Sequence, residues 1–191
     1  LDVDLSTSIG NKHLDLPILG AAMDGVIDAN MAIAMGKLGA IGVLNLEGIF
    51  CRYQDPYPII STLIQKPREE VTLFLQNTYQ EPIKESLIKE QVQHIKSQGV
   101  LTAASVTPSR VQTFGITAIE AGLDLLVIQS TVTTKEFISS RSTGLDLKSF
   151  CRDISIPVIV GNCATYEVAL ELMKAGASGI LVGIGPGAAC T

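Results

Sequence analysis

The chain has 191 residues, 47% hydrophobic and 17% charged, enough apolar material for one buried core and too much for a disordered segment. Its net charge of −5, with no block of Lys and Arg, lacks the electrostatic footprint of a nucleic-acid partner. No run approaches the roughly 18 apolar residues of a membrane span and no export signal is legible, so no membrane partner is expected and the default localisation is cytoplasmic.

In chain order, PILGAAM near the start is a short apolar run of strand length, and Asp28 to Leu38 carries helical spacing. Gly39 then relieves a left-handed position at the helix end, and an apolar run follows at once. This joint, GKLGAIGVLNLEG, recurs as IEAGLDLLVIQST from Ile119 and MKAGASGILVGIG from Met173, with Gly122 and Gly176 in the place of Gly39. Between Glu47 and Gln80 the rhythm loosens, and Pro56, Pro58 and Pro67 break it, which predicts a long excursion holding one or two short helices. In EPIKESLIKEQVQHIKSQG, residues Ile83, Leu87, Ile88, Val92 and Ile95 share a face, Pro82 sits in the expected first turn, and Gly99 ends the helix. LTAASV and PVIVGN read as further strands, and Pro108 to Ala121, Leu145 to Ile154 and Thr165 to Ala175 as helices.

The strands are continuous apolar runs rather than alternating ones, the mark of a parallel sheet buried on both faces. Six such strands with helical crossovers fit an open doubly wound sheet or a (β/α)8 barrel; the barrel needs two further units and roughly 250 residues. Either architecture gathers its active site at the carboxyl ends of the strands, where LVGIGPGAACT closes the sequence.

Gly183, Gly185 and Gly187 allow that loop to turn carbonyl oxygens around a cation or N–H groups around an anion. The spacing is neither that of a dinucleotide fingerprint nor that of a P-loop. Cys190 on such a loop is a candidate nucleophile; the alternative is a buried small side chain at a tight turn. The other cysteines, Cys51, Cys151 and Cys163, form no CxxC pair with it or with each other, so no zinc site or disulfide framework is indicated, and packing is the expected role of each. His13 and His94 lie near no catalytic cluster, so a Cys–His dyad has no local support. Asp24 and Asp28 read as loop-bracing or helix-capping residues rather than proton carriers. Glu47, at the second strand's outlet, could face the pocket, but an exposed loop carboxylate is the commoner case; Ser130, Thr131, Thr133 and Thr134 could donate to a cofactor or the loop, with a solvated loop the safer reading.

LVGIGPGAACT resembles the catalytic loop of the IMP dehydrogenase and GMP reductase family, PILGAAMDGVIDANMAIAMGKLGAIGVLN resembles that family's first strand and helix, and PVIVGNCAT adds to the likeness. The resemblance covers essentially the whole chain and is strongest to the short IMP dehydrogenase-related branch, because LNLEGIFCRYQDPYPI runs on with no room for the paired CBS regulatory domains. It implies a (β/α)8 TIM barrel, an α/β fold with about six of the eight strand-helix units present, and a single catalytic domain over residues 1–191.

The resemblance further implies chemistry at carbon 2 of a purine nucleotide, with Cys190 adding to the ring. In the dehydrogenase direction IMP gives XMP, with NAD taking hydride and water hydrolysing the thioimidate; in the reductase direction GMP gives IMP and ammonia at the expense of NADPH. The expected dinucleotide is therefore NAD or NADP. Gly185, Gly187 and Cys190 match carbonyls that hold K+; Met23, Asn162, Gly187 and Ala188 match the nucleotide site; Gln129, Ser130 and Asn162 match the cofactor site. Three positions depart from the family: Ala21 and Ala188 stand where serines touch the nucleotide, and Gln129 stands where an aspartate holds the cofactor's ribose. Those departures keep open a nucleotide-binding relative without turnover. The family's catalytic threonine, ribose aspartate and flap arginine match positions beyond Thr191, so the sequence reads as the N-terminal part of a longer chain, inactive by itself. The resemblance implies a homo-oligomer, since the family commonly forms tetramers.

Overall fold

The computed structural model describes residues 3–130, 136–139 and 142–183. A hairpin of β1 (Thr7–Ile9) and β2 (Lys12–Leu14) precedes β3 (Leu19–Gly20), α1 (Ala29–Lys37) and β4 (Ile41–Asn45). An excursion follows, with a 3-10 turn at Ile49–Cys51, α2 (Tyr57–Gln65) and α3 (Arg68–Thr78). The chain then returns through α4 (Glu85–Ser97), β5 (Ala103–Val106), α5 (Ile116–Glu120) and β6 (Leu125–Gln129). After the antiparallel pair β7 (Glu136–Ser139) and β8 (Ser142–Asp146) come α6 (Leu147–Asp153), β9 (Val158–Cys163), α7 (Tyr166–Lys174) and β10 (Gly179–Val182).

One sheet has the order β10-β9-β6-β5-β4-β3, and every neighbouring pair in it is parallel. Each strand therefore lies beside the one that precedes it in that order along the chain. A doubly wound sheet reverses its strand order at a switch point; this sheet never does, which is the winding of a barrel, and six of the eight strands are present.

Alternation along the strands separates two layers. Leu44, Ala104, Val106, Leu126, Ile128, Val158 and Val160 face outward, where they meet Ile88, Val92 and Ile95 of α4, Ala118 of α5 and Leu172 of α7. Ile41, Val43, Ala103, Leu125, Val127 and Ile159 face inward, and Leu14 of the hairpin joins them. Each fully buried Leu or Ile side chain contributes roughly 1.5–3 kcal/mol relative to exposure. The expected helix-to-strand joints hold: Gly39, Gly122 and Gly176 take φ of +87°, +105° and +102°, a region that only glycine enters freely.

The hairpin sits under the amino ends of the strands. Lys12 Nζ reaches Asp124 Oδ1 at 2.9 Å, just before β6, and Lys96 Nζ of α4 lies 2.7 Å from the same oxygen. Thr102 N donates to Asp124 Oδ2 at 3.1 Å. Burial pushes the Asp124 carboxyl up, but the Lys96, Lys12 and Thr102 donors outweigh it and hold the group below the usual carboxylate value.

Several elements differ from the expectation. The excursion holds two short helices, as expected, and its prolines lie at their starts: Pro58 in the first turn of α2, and Pro67 as the N-cap of α3. A proline's missing N–H costs nothing there, because the first turn's donors have no intrahelical partners. Pro82 lies before α4, which begins at Glu85. α6 starts at Leu147 rather than Leu145 because Asp146 caps it, accepting from the N–H groups of Lys148 at 3.1 Å and Ser149 at 3.3 Å. The stretch from Pro108 to Ala121 is a 3-10 turn, then a π turn at Val111–Gly115, then α5. The β1–β2 and β7–β8 pairs were not legible as strands, being three to five residues long with little apolar content.

Candidate active site

The inward alternation that builds the barrel core continues past the strand ends as polar side chains. Val43 is followed on the same face by Asn45 and Glu47, Ala103 by Ser105 and Thr107, and Val127 by Gln129. A cleft of about 260 Å³ opens among these groups, lined by Ala22, Asn45, Glu47, Ser105, Val106, Thr107 and Gln129. It lies at the carboxyl mouth of β4, β5 and β6, and among the described residues none that lines it is cationic.

Hydrogen bonds fix the polar groups. Asn45 Oδ1 accepts from Glu47 N at 3.0 Å, and Glu47 Oε1 accepts from Thr107 N at 2.7 Å, so the carboxylate bridges the ends of two neighbouring strands. Asn45 Nδ2 donates to Asp24 Oδ1 at 3.3 Å; Asp24 Oδ2 accepts from Ile49 N at 2.6 Å and from the Tyr79 hydroxyl. Burial raises the Tyr79 hydroxyl's pKa far above normal, and the bond to Asp24 adds to the rise, so Tyr79 stays a protonated donor. A Cβ at Gly48 would overlap Asp24 Oδ1, so the carboxylate depends on a glycine to approach the loop.

Arg52 ties the excursion to the same mouth. Its guanidinium donates to the Glu47 carbonyl at 3.1 Å and 3.0 Å, to the Tyr79 carbonyl at 3.0 Å and to the Glu81 carbonyl, and it lies 5.4 Å from the Tyr79 ring centre. Against α2 and α3 lies a second, mostly apolar cavity of about 220 Å³, bounded by Ile59, Ile60, Leu63, Phe74 and Tyr79 and touched by Asp24.

Beyond Gln129 the mouth continues to β9 and β10. Gln129 Nε2 donates to Asn162 Oδ1 at 3.1 Å, and Asn162 Nδ2 donates to the Gly183 carbonyl at 2.9 Å. Ser130 and Asn162 pair through their backbones, with Asn162 N to Ser130 O at 2.9 Å, and Ser130 N bonds Gly161 O at the same length. Amide side chains thus link the ends of three strands to the residue from which the glycine-rich loop departs.

Of the sequence-derived candidates, Gln129, Ser130 and Asn162 come together in this line, and Met23 is half-exposed on the loop after β3, outside the cleft lining. Gly185, Gly187, Ala188 and Cys190, together with Thr131, Thr133 and Thr134, lie outside the described residues. Asp28 caps α1, accepting from Met31 N at 2.7 Å, and Asp24 braces the loop, as read from the sequence. The packing roles of the other cysteines also hold. Cys51 and Cys163 are buried, and burial pushes the Cys51 thiol up to about 12 and that of Cys151 to about 11, far from a reactive thiolate. Glu47 corrects the expectation of an exposed loop carboxylate, because period-two alternation carries it inward. Asn45, Ser105, Thr107, Tyr79 and Arg52 were not singled out; for the first three the signal was present as polar residues continuing an inward-facing series.

The match to the IMP dehydrogenase / GMP reductase domain model runs over residues 1–191. An uncharacterized oxidoreductase of Mycolicibacterium smegmatis is 33% identical over 189 residues, 96% of this chain and 50% of that protein. An inosine-5'-monophosphate dehydrogenase of Cryptosporidium parvum is 28% identical over 199 residues, covering all of this chain and 48% of that protein. The crystal structure of an IMP dehydrogenase/GMP reductase-like protein from Corynebacterium glutamicum superposes with a TM-score of 0.88 at 33% identity, over 96% of this chain and 49% of that one. The chain spans about half the length of the curated relatives it matches.

Proposed function

The chain belongs to the IMP dehydrogenase/GMP reductase family, and from that premise we propose that the whole protein is an NAD-dependent IMP dehydrogenase, one catalytic domain without a CBS insert. The observation that carries the reading is the family match across every residue of the chain. The dehydrogenase direction is favoured over GMP reductase because similar proteins from Cryptosporidium parvum and Borreliella burgdorferi bear the name inosine-5'-monophosphate dehydrogenase.

The nucleophile in this reading is Cys190. Its thiolate adds to carbon 2 of IMP; loss of the hydride from that carbon leaves a thioimidate on the sulfur; water then adds to the same carbon, the carbon–sulfur bond breaks, and XMP departs with the thiol regenerated. Splitting one difficult substitution into two easier ones is what the covalent step contributes. When bound, NAD supplies the hydride acceptor.

The described mouth fits a dinucleotide in a particular way. Amides from Asn45, Gln129 and Asn162, hydroxyls from Ser105 and Thr107 and the Glu47 carboxylate suit ribose hydroxyls and a carboxamide, and the carboxylate disfavours a phosphate beside it. Gln129 and Asn162, held to each other, are assigned to orient the cofactor, with Ser130 beside them, while Met23 and Asn162 face the nucleotide. A ring of backbone carbonyls at Gly185, Gly187 and Cys190 would hold K+, and Gly187 and Ala188 would present N–H groups to the nucleotide's phosphate.

The test is a spectrophotometric assay of the full-length protein. IMP with NAD should yield XMP and rising reduced-cofactor absorbance, and GMP with NADPH should give no change. A reversed pattern would select the reductase. Ala21 and Gln129, which depart from the family at two contact positions, favour one further reading, a purine-nucleotide-binding relative without turnover. That reading predicts stabilisation by IMP with neither assay proceeding, and turnover in either assay excludes it.

A further inference from the structure

The reaction proposed above takes NAD as its dinucleotide, and the setting of Glu47 bears on why NAD rather than NADP would be taken. Three observations converge on this side chain. First, it lines the cleft, and one of its oxygens is anchored by Thr107 N at 2.7 Å, so the carboxylate is held in place rather than swinging in solvent. Second, among the described residues none lining the cleft is cationic, so an additional phosphate entering it would meet the carboxylate with no lining cation beside it. Third, its strand lies far in the sheet from the strand that leads into the glycine-rich loop.

The third point follows from sheet order. The glycine-rich loop leaves the sheet after β10, at Gly183, and Glu47 follows β4. β10 and β4 are four strand intervals apart, ~19 Å along the curved face at ~4.8 Å per interval. In a closed ring of eight strands that is the opposite side of the mouth. A dinucleotide with its nicotinamide beside the loop and its length laid across the mouth passes Asn162 and Gln129 first. Its adenosine ribose would then lie at Ser105, Thr107 and Glu47.

We propose that Glu47 selects NAD over NADP: its carboxylate accepts the 2′-hydroxyl of the adenosine ribose and repels a 2′-phosphate at that position. This rests on the family reading of a dinucleotide-dependent reaction. It adds a role for a residue two places beyond β4, on a side chain whose backbone Arg52 also fixes by donating to the Glu47 carbonyl.

The experiment titrates full-length protein with NADH and separately with NADPH by calorimetry, without purine nucleotide, comparing the native chain with Glu47→Gln. The amide keeps an acceptor for Thr107 N, so the fold is preserved, and a melting curve checks that it is. The native protein should bind NADH at least ~10-fold more tightly than NADPH, as expected for one hydrogen bond to a charged acceptor. Glu47→Gln should bring the two affinities within ~3-fold, mainly by improving NADPH. Equal affinities in the native protein, absence of binding by both, or an unchanged preference in the folded variant would each overturn the proposal. A preference that collapses in the variant while neither IMP nor GMP turns over upholds Glu47 and sinks the reaction. IMP oxidation with an unchanged preference does the reverse.

Discussion

The two ends of the sheet use polar residues in opposite ways. At the amino end, Asp124 is buried with two lysines and a backbone N–H on it, so its charge is consumed in fastening the hairpin and α4 to β6. At the carboxyl end, Asn45, Glu47 and Thr107 are bonded in series and, with Ser105 and Gln129, line an open cleft. The same strands connect the two sets through an apolar interior. Barrel enzymes separate stability from chemistry along the strand axis, and here the separation can be followed residue by residue.

The sharpest way to break the comparison is to disable one end and ask whether the other notices. Cys190→Ala in the full-length protein should cut turnover of IMP by on the order of ten-thousand-fold while leaving the melting temperature unchanged, read by steady-state kinetics beside calorimetry. Asp124→Ala should do the opposite. It leaves Lys12, Lys96 and Thr102 N without their shared acceptor and should cost about 3 kcal/mol in denaturant unfolding, with kcat and KM unaltered at temperatures where the variant is folded.

At the carboxyl mouth stands Arg52, whose loss frees the carbonyls of Glu47, Tyr79 and Glu81 together. Arg52→Ala should lower stability by about 2 kcal/mol and, unlike Asp124→Ala, should also raise KM for the dinucleotide, because the Glu47 backbone is no longer held. Protection of the excursion's amides in hydrogen exchange would fall with it.

A smaller effect concerns pH. Asp124 titrates below its ordinary value in the folded protein, so it stabilises the fold above the unfolded carboxylate pKa of ~3.9. That contribution disappears as the pH falls through and below that value. Native protein should therefore lose stability more steeply below about pH 4 than Asp124→Asn does, in chemical denaturation across pH. The smallest effect is at the cysteines: brief iodoacetamide treatment at neutral pH should leave Cys51 unmodified, since burial holds its thiol near 12.

The layered half of the fold was legible because parallel strands buried on both faces write themselves as apolar runs, and because Gly39, Gly122 and Gly176 mark where helices turn into strands. The glycine-cysteine loop named the family through its own residues. What sequence reasoning lost is tied to short range or to register. The β1–β2 hairpin has strands of three residues, too short to show a period, although it plugs the barrel and brings Lys12 to Asp124. Pro58 and Pro67 looked like breakers because a proline's effect depends on its place in a helix, which is fixed only once the helix start is known. Glu47 looked like a loop residue because it lies two positions past β4; counting alternate residues on from Ile41 and Val43 puts it on the inner face.

The central claim is a bond between the Cys190 sulfur and carbon 2 of the purine. Full-length protein quenched in acid during turnover of IMP with NAD, digested and measured by mass spectrometry, should yield the peptide carrying Cys190 with the mass of the oxidised nucleotide added. The same peptide at its unmodified mass in every quenched sample, while XMP accumulates, would contradict the account.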